Sequence, residues 1–529
     1  MKTKIAIFII IATALTLRLL YFRDSLTFSW DQARDSLVAM NIWQNDSVKL
    51  LGPNTDIAGL HHGPLYWYLI SPIYHFTSGN VWAVRLFLIF LNMLTLYFIY
   101  DLAYDLFKNK KVSLLSCLLF AVSFEAIQYA RWLSNPAPAL LIIAISFWAL
   151  NKLIRGKAWA FPILLISWGL SVQLQIFMIY QILIFVTIWV GIKGFIMPRV
   201  TRRTYIVSAV GVLATFSTFI ASEIKFKFQG TKSLLGFFKA QSIFDASFVE
   251  KFTSYIDRLA ELFFLNIWGI NLFFAGFMML VTFYLTFQLM KERALRNPML
   301  FLGIWILSPI ALFLFPVPNA QYISIGALAG IIILTAYYLV QLQKKQSVLF
   351  LIVLIIIFAG NVNLLFSKGK EGDVLFTVQK QMILGDELKV IDWVYRESEG
   401  KPFRINTVTA PLFVNTTWAA LFNWYGKSTY HHMPAWWGVD QSSEIPGSDI
   451  PFAPKTDVDW HFLIIEPIAT SDNFYVKVTQ MLEDERSEVV ERETFGYFTV
   501  EKRKITQEKE ITTANIFHKI KNTDPRAFQ

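Results

Sequence analysis

Residues 347–366 read SVLFLIVLIIIFAGNVNLLF, a run of twenty residues that contains no charged side chain. About 20 consecutive apolar residues are needed for an α-helix to cross the hydrocarbon core of a bilayer. A surface helix of a soluble protein would instead keep one polar face. This stretch therefore predicts a membrane-spanning helix.

Ten further apolar runs resemble this one, so the sequence predicts about eleven transmembrane helices. The first run follows Lys2 and Lys4 and could be a cleaved signal peptide, but its length of about 18 residues favours a retained span. Ser171, Gln173 and Gln175 interrupt one long apolar stretch and favour a tight hairpin there. The ten runs cover residues 5–22, 81–100, 112–130, 138–154, 159–173, 176–192, 204–221, 263–289, 299–315 and 322–342.

Composition supports the same fold class. Hydrophobic residues make up 55% of the 529 residues and charged residues 16%, with a mean hydropathy of +0.46. An ordinary soluble protein has about 25% charged residues. The single cysteine, Cys117, excludes a disulfide within the chain. The sequence is thus incompatible with a disordered chain, a fibrous protein or a disulfide scaffold.

Positive charge alternates from one predicted connection to the next. Six alternate segments hold 17 Lys and Arg residues, from Lys2 and Lys4 to Lys344 and Lys345, and only three acids. Short loops rich in Lys and Arg face the cytoplasm. We therefore expect a multi-pass plasma-membrane protein with a cytoplasmic N-terminus. The outer side would carry loops 23–80 and 222–262 and everything after residue 366.

The chain changes character after residue 366. Mixed charge, turn residues and short β-rich runs, such as residues 462–465 and 497–500, replace the apolar spans, and residues 386–394 have an amphipathic helical pattern. We predict a transmembrane domain at 1–366 and a small extracytoplasmic α/β domain at 367–506. A polar tail follows at 507–529.

The first three acids after the first predicted span are Asp24, Asp31 and Asp35. Residues 29–35 read SWDQARD, so Asp31 and Asp35 lie four residues apart and share one face if a helix begins near Trp30. Carboxylates this close repel each other unless one keeps a proton or both share a cation. Either state suits acid–base or metal-assisted chemistry. The alternative is a solvated helix in which Asp31 is the N-terminal cap.

Two histidines lie later in the same loop, where residues 61–68 read HHGPLYWY. Gly-Pro fixes a turn, and the aromatic residues after it suit the membrane interface. His61 and His62 could bind a phosphate or help to hold a metal ion. The alternative is an aromatic anchor in which the histidines are incidental.

Further candidate residues follow later spans. Residues 129–136 read YARWLSNP, which places Arg131 and Asn135 at an outer membrane boundary. Arg131 could bind an anionic lipid head group there, or extend to ordinary phospholipid phosphates. Glu125 lies deeper in the same predicted span and needs a partner or a polar cavity. Glu223 and Tyr322 are weaker candidates beside the outer ends of other spans.

These motifs together resemble the C-superfamily of membrane glycosyltransferases, most of all family 39. That group contains the protein O-mannosyltransferases, the aminoarabinose transferases and their bacterial relatives. The family's acidic motif after the first span is matched at residues 31–35, and its Gly-Pro-Leu-aromatic motif at 62–66. The Arg…Asn-Pro turn is matched at 131–136, and the glutamate with a basic stretch at 223–225. The resemblance covers residues 1–366.

The resemblance implies a hexosyl- or pentosyltransferase that moves a sugar, with inversion, from a polyprenyl-phosphate donor to an extracytoplasmic lipid, glycan or protein. Asp31 and Asp35 would be catalytic. The substrate-binding set would be Arg34, His61, His62, Arg131, Asn135, Glu223 and Tyr322. Many members have Asp-Glu where this chain has Asp31-Gln32. A divalent metal ion on Asp31 and Asp35 is therefore left open.

A lipid or glycan transporter is the alternative function. It would also need many spans and buried polar residues. Transporters usually contain repeated halves, however, and the chain shows no internal repeat. A transporter also has no need of an outer α/β domain. The sequence therefore favours the transferase, with no role for nucleic acid.

The predicted orientation is testable with a reporter that is active only in the cytoplasm. Fused after Gln529, it should be silent, because the Lys and Arg counts place the C-terminus outside. The same reporter inserted beside Lys110 should be active and serves as the control. Activity after Gln529 would overturn the predicted orientation.

Overall fold

The computed structural model describes residues 2–194, 198–239, 247–310, 321–372, 375, 379–442, 445–452, 458–468 and 473–522. The chain divides into two compact units. The first comprises residues 1–20, 48–69 and 85–369, and it contains almost all of the apolar helices. The second comprises residues 21–47, 70–84 and 370–529.

Helices dominate the chain up to residue 368. A 3-10 turn at Ile176–Met178, a π-helical turn at Phe264–Trp268 and 3-10 turns at Ser308–Ile310 and Gln321–Ala327 interrupt or extend them. The α-helices are α1 (Lys2–Leu19), α2 (Trp30–Gln44), α3 (Leu65–Phe76), α4 (Val81–Phe107), α5 (Lys110–Val122), α6 (Phe124–Arg131), α7 (Pro136–Ile154), α8 (Ala160–Leu174), α9 (Ile179–Lys193), α10 (Arg202–Lys225), α11 (Gln229–Lys239), α12 (Phe248–Phe263), α13 (Leu272–Leu289), α14 (Arg296–Leu307), α15 (Leu328–Lys345) and α16 (Ser347–Lys368).

Every predicted span overlaps one of these helices or a pair of them in its described part. Within the described residues, seven helices are long and apolar enough to cross a membrane, or eight if α5 and α6 form one broken span. The other three predicted spans correspond to α1, α8 and α14. Helix α1 carries three charges, α8 has 15 residues, and α14 has 12. Part of the predicted span 299–315 lies outside the described residues. The polytopic helical fold is confirmed.

The broken span bends by 59° between Val122 and Phe124. Ser123 caps the second half, because its Oγ accepts from the Ala126 N–H at 3.1 Å. The Phe124 N–H, which loses its helical partner at the break, donates to Asn361 Oδ1 at 2.9 Å. Backbone groups freed inside a membrane protein need such partners. The side chains of Ser123 and Asn361 therefore stabilise the bend by accepting hydrogen bonds from its backbone.

The second unit contains a mixed sheet. Its strands are β1 (Arg404–Val408), β2 (Ala435–Trp436), β3 (Trp460–Ile465), β4 (Ser487–Phe495) and β5 (Phe498–Ile505), in the order β2-β1-β3-β5-β4. Strand β1 runs parallel to β2 and β3, whereas β5 is antiparallel to β3 and β4. The α-helices are α17 (Leu384–Glu397), α18 (Thr416–Leu421), α19 (Lys427–Tyr430), α20 (Asn473–Asp484) and α21 (Thr513–Asn522). The predicted α/β character of this region is confirmed.

The second unit also includes two segments of the predicted loop 23–80. Thr27 forms an antiparallel bridge with Ile383, and the Phe28 N–H donates to the Met382 carbonyl at 3.0 Å. Farther along, Asn41 Nδ2 donates to the Pro446 carbonyl at 2.9 Å. Helix α2 is therefore built into the same unit as the α/β sheet. The domain division predicted from sequence does not anticipate this.

One buried carboxylate in the second unit lacks donors. Both oxygens of Glu387, on α17, are buried without a hydrogen bond to any described residue. Burial, together with the charges of Glu466 and Asp386, raises the pKa of Glu387 well above its ordinary value. Glu466 is buried too but accepts from the Ala410 N–H, Gln379 and Trp418, and burial raises its pKa to about 7.

The folded protein thus keeps protons that the unfolded chain releases near pH 4.5. The contribution of these two carboxyl groups to stability should therefore fall as pH rises from about 5 to 8. Glu387→Gln cannot ionise and should therefore lose less stability than the wild type over that range. Thermal unfolding of the purified protein between pH 5 and pH 8 measures this difference.

The matched control is Glu493→Gln, which changes charge equally at an exposed site on β4. It should follow the wild-type pH dependence. If Glu387→Gln follows the same curve as the control, Glu387 is ionised in the folded state and the assignment is wrong.

Candidate active site

Helix α2 begins at the acidic motif. Ser29 is its N-cap, and Gln32 completes a capping box in which Gln32 Oε1 accepts from the Ser29 N–H at 3.1 Å and from the Ser29 hydroxyl at 2.9 Å. Glutamine and glutamate can both fill this third helical position. Gln32 therefore caps the start of the helix through a side-chain oxygen that a glutamate would also supply.

Arg34 links the two aspartates of the motif. Its Nη1 lies 2.7 Å from Asp31 Oδ1, while its Nε and Nη2 lie 3.0 and 2.9 Å from Asp35 Oδ1. The guanidinium also lies over the Trp30 ring at 4.9 Å. Burial lowers the pKa of Arg34, but the two carboxylates outweigh it and raise the pKa above its ordinary value. The shared cation expected between Asp31 and Asp35 is thus an arginine.

The two aspartates differ in access. The Asp31 side chain is 50% exposed, whereas that of Asp35 is 3% exposed. Both lie on one face of α2, as the four-residue spacing predicts. Of the two, Asp31 is open to solvent, and Asp35 holds Arg34 in place beside it.

A metal site at this motif does not fit its donors. No group of three or more His, Cys, Asp or Glu side chains that could hold a metal occurs among the described residues. Arg34 already occupies the space between Asp31 and Asp35. A divalent cation would have to displace a guanidinium that both carboxylates bind.

His61 and His62 lie in a tight hairpin of the first unit. The Gly52 N–H donates to the His62 carbonyl, and the His62 N–H donates to the Pro53 carbonyl, each at 2.9 Å. His62 Nδ1 accepts from the Ile176 N–H at 3.2 Å, and His61 Nδ1 lies 3.3 Å from the Gly52 carbonyl oxygen. These contacts fix the hairpin against the turn after α8. Both histidines therefore have a structural role, and their predicted role in binding a phosphate or a metal ion stays a prediction.

Arg131 lies at the end of α6 and is buried. It donates to the carbonyl oxygens of Leu17, Arg18 and Leu20 at 2.6, 3.1 and 2.6 Å. These are acceptors at the C-terminus of α1, which an arginine can satisfy. The predicted contact with a donor phosphate finds no support in these hydrogen bonds, and it stays a prediction.

The remaining predicted residues each have a hydrogen-bonding partner in the first unit. Asn135 Nδ2 donates to the Leu174 carbonyl at 2.5 Å. Glu223 caps α11, because its carboxylate accepts from the Thr231 N–H and from the Thr231 hydroxyl at 2.8 Å. The Tyr322 hydroxyl donates to Asp56 Oδ2 at 2.8 Å, and Trp132 lies beside its ring at 6.3 Å. Residues 311–320, which precede Tyr322, lie outside the described residues.

A buried polar cluster of the first unit escapes the sequence analysis. Arg258, on α12, donates from Nε to Ser324 at 2.7 Å and from Nη1 to Glu261 at 2.6 Å, and its Nη2 lies 3.5 Å from Glu125. Asn266 also donates to Glu125, at 2.5 Å. The embedded carboxylate thus has the partner that it needs. In the sequence, the sign of this cluster is the three-residue spacing of Arg258 and Glu261 on an amphipathic helix, which predicts an ion pair.

Comparisons with known proteins agree with this architecture. Residues 61–221 match the family described as dolichyl-phosphate-mannose-protein mannosyltransferase. A search of curated protein sequences found no match. Two solved structures of ArnT from Cupriavidus metallidurans, one in the apo state and one bound to undecaprenyl phosphate, resemble the whole chain. Each has 12% sequence identity, a TM-score of 0.56, and coverage of 94% of this chain and 97% of ArnT.

Agreement over nearly the full length of both chains includes the C-terminal region as well as the membrane helices. The family match falls on the stretch that carries the Gly-Pro-Leu-aromatic motif and the Arg…Asn-Pro turn. The resemblance drawn from the sequence is thereby confirmed in its fold: this chain shares the polytopic helical fold of ArnT, and residues 61–221 match the mannosyltransferase family.

Proposed function

We propose that the protein transfers a sugar from a polyprenyl-phosphate donor to an extracytoplasmic acceptor, with inversion at the anomeric carbon. The observation that carries the proposal is Asp31, an accessible carboxylate held by Arg34 at the start of a helix. The fold shared with ArnT supports it, since one ArnT structure is bound to undecaprenyl phosphate.

Asp31 would act as the general base. Arg34 binds its Oδ1 and leaves the half-exposed side of the carboxylate for the acceptor. As Asp31 takes the hydroxyl proton, the acceptor oxygen forms a bond to the anomeric carbon from the face opposite the phosphate. The bond from that carbon to the phosphate oxygen breaks, and polyprenyl phosphate leaves with the electron pair. One displacement of this kind inverts the configuration.

Arg258 is our candidate for binding the departing phosphate. It is a buried guanidinium, and of its two carboxylate partners Glu261 is 31% exposed while Glu125 is fully buried. A phosphate that displaces Glu261 would exchange one anion for another, so the charge facing Arg258 changes little. An arginine binds phosphate strongly through paired N–H groups. Tyr322 lies on the same 3-10 helix as Ser324, which Arg258 also contacts.

The other predicted substrate-binding residues remain proposals with a narrower role. His61, His62, Asn135 and Glu223 make contacts that shape loops and helix ends in the first unit. We assign them to positioning these segments around the substrates.

Replacing Asp31 tests the proposed base. Asp31→Asn keeps the size of the side chain but accepts a proton poorly, so turnover should fall by about 10²–10⁴-fold. Binding of undecaprenyl phosphate and thermal stability should stay near wild type. Each variant is added to membranes from cells that lack the protein, and turnover is measured as the rate of sugar transfer.

Asp35→Asn is the matched comparison. It leaves the buried side of Arg34 with a weaker partner and should lower both thermal stability and turnover. A chelator should leave the wild-type rate unchanged, because Arg34 already neutralises both aspartates. Near-normal turnover in Asp31→Asn would remove the base from the mechanism, and inhibition by the chelator would restore a metal site.

The two arginines are compared in a second experiment, which measures binding of undecaprenyl phosphate to the purified protein. Arg258→Lys should weaken binding about tenfold or more, because a charged hydrogen-bond pair contributes about 1.5–3 kcal/mol. Arg131→Lys should leave binding within about twofold but lower the unfolding temperature, because lysine cannot donate to three carbonyls in a fork. The reverse pattern would support the sequence-based assignment of Arg131.

A further inference from the structure

A cavity of about 470 Å³ lies in the second unit, beyond the acidic motif along α2. The end of α2, the end of α3 and the segment 423–428 form its walls, and none of its lining residues is acidic. Its volume falls within the about 300–1,000 Å³ of known ligand sites.

One wall of the cavity is aromatic and fixed. Trp424 packs edge-on against Trp82 with ring centroids 5.4 Å apart. On another side of Trp424 lies Gly79, whose φ of +85° suits glycine, and an added Cβ there would lie 3.1 Å from the indole. Tyr74 and His75 line the neighbouring wall, and His75 stacks on Trp43 at 5.0 Å. The indole is therefore held in place before any ligand binds.

Hydrogen-bonding groups surround the aromatic wall. Gln44, Asn423 and Lys427 line the cavity, are exposed, and form no side-chain hydrogen bond within the described part of the chain. Lys427 adds a positive charge. A rigid aromatic ring beside amide and ammonium groups suits a ligand with apolar ring faces and a hydroxyl edge.

The cavity and the motif lie along the same helix, α2. Burial raises the pKa of Tyr74, which lines the cavity, and the charge of nearby Asp35 raises it further. Along α2, Gln44 follows Asp31 by thirteen residues, or about 20 Å of helix. A ligand extended along α2 would reach both the cavity and Asp31.

We propose that this cavity binds a saccharide of the acceptor, neutral or acidic, remote from the hydroxyl group that reacts. The inference rests on the proposed function, and it assigns acceptor recognition to the second unit. The aromatic wall contacts the ring faces, Gln44 and Asn423 contact hydroxyl groups, and Lys427 favours saccharides that carry a carboxylate or phosphate.

The test uses the full-length protein in detergent. The probe is the saccharide mixture released by mild acid from membranes of cells that lack the protein, and saturation-transfer NMR measures its binding. Trp424→Ala should weaken binding about tenfold. Lys427→Ala should weaken binding of the acidic fraction alone. Ser428→Trp, an exposed change that fills the cavity without touching the Trp82 contact, should abolish binding.

Tyr497→Ala is the control, because it removes an exposed aromatic side chain of the same unit at the β4–β5 turn. It should bind like wild type. All variants should bind undecaprenyl phosphate normally, and Trp424→Ala and Ser428→Trp should transfer sugar only at raised membrane concentration. Unchanged saccharide binding in Ser428→Trp would overturn the inference about the cavity. Sugar transfer by the wild type would still support the proposed function in that case. Saccharide binding without any transfer would overturn the function instead.

Discussion

A charge buried in an apolar protein must have a partner, and this constraint organises both units. Arg131 satisfies three carbonyl groups at the end of α1, and Glu125 is paired with Arg258 and Asn266. In the second unit Arg34 binds both aspartates of the motif. Removing one member of such a set leaves an uncompensated charge, which costs far more than the contact itself contributes. Among the described residues, Glu387 is a buried carboxyl group without a hydrogen bond, and its raised pKa favours the uncharged form.

Much of the fold could be predicted because membrane spans are coded locally. A run of twenty apolar residues such as 347–366 predicts a membrane-spanning helix by itself, and α16 occupies Ser347–Lys368. The shorter helices α8 and α14 were also found as apolar runs, although neither has the length of a full span. The four-residue spacing of Asp31 and Asp35 likewise gave their common face correctly, since a single helical turn decides it.

The partners of the charged residues could not be predicted, because they are distant in sequence. Glu125 and Arg258 are 133 positions apart, so no local pattern connects them. Trp132 and Asn135 suit a membrane boundary and predict that Arg131 binds lipid, which stays a prediction, but they give no sign of its hydrogen bonds to backbone groups of α1. Gln32 stood out as a missing acid, but its role in the capping box depends only on an oxygen that both amide and acid possess. The sequence locates candidate residues, and packing decides what each of them contacts.

The bridge between Thr27 and Ile383 joins the beginning of the chain to a segment made after all the membrane helices. The acidic motif emerges from the ribosome early, yet the backbone that flanks it finds its partner only when residues 382–384 have been made. Closing so long a loop carries a large entropic cost, which the insertion of the intervening helices reduces by restricting where the two segments can be. The order of biosynthesis therefore separates insertion into the membrane from completion of the second unit. A nascent chain can be fully inserted while the segment before α2 still lacks its sheet-like contact.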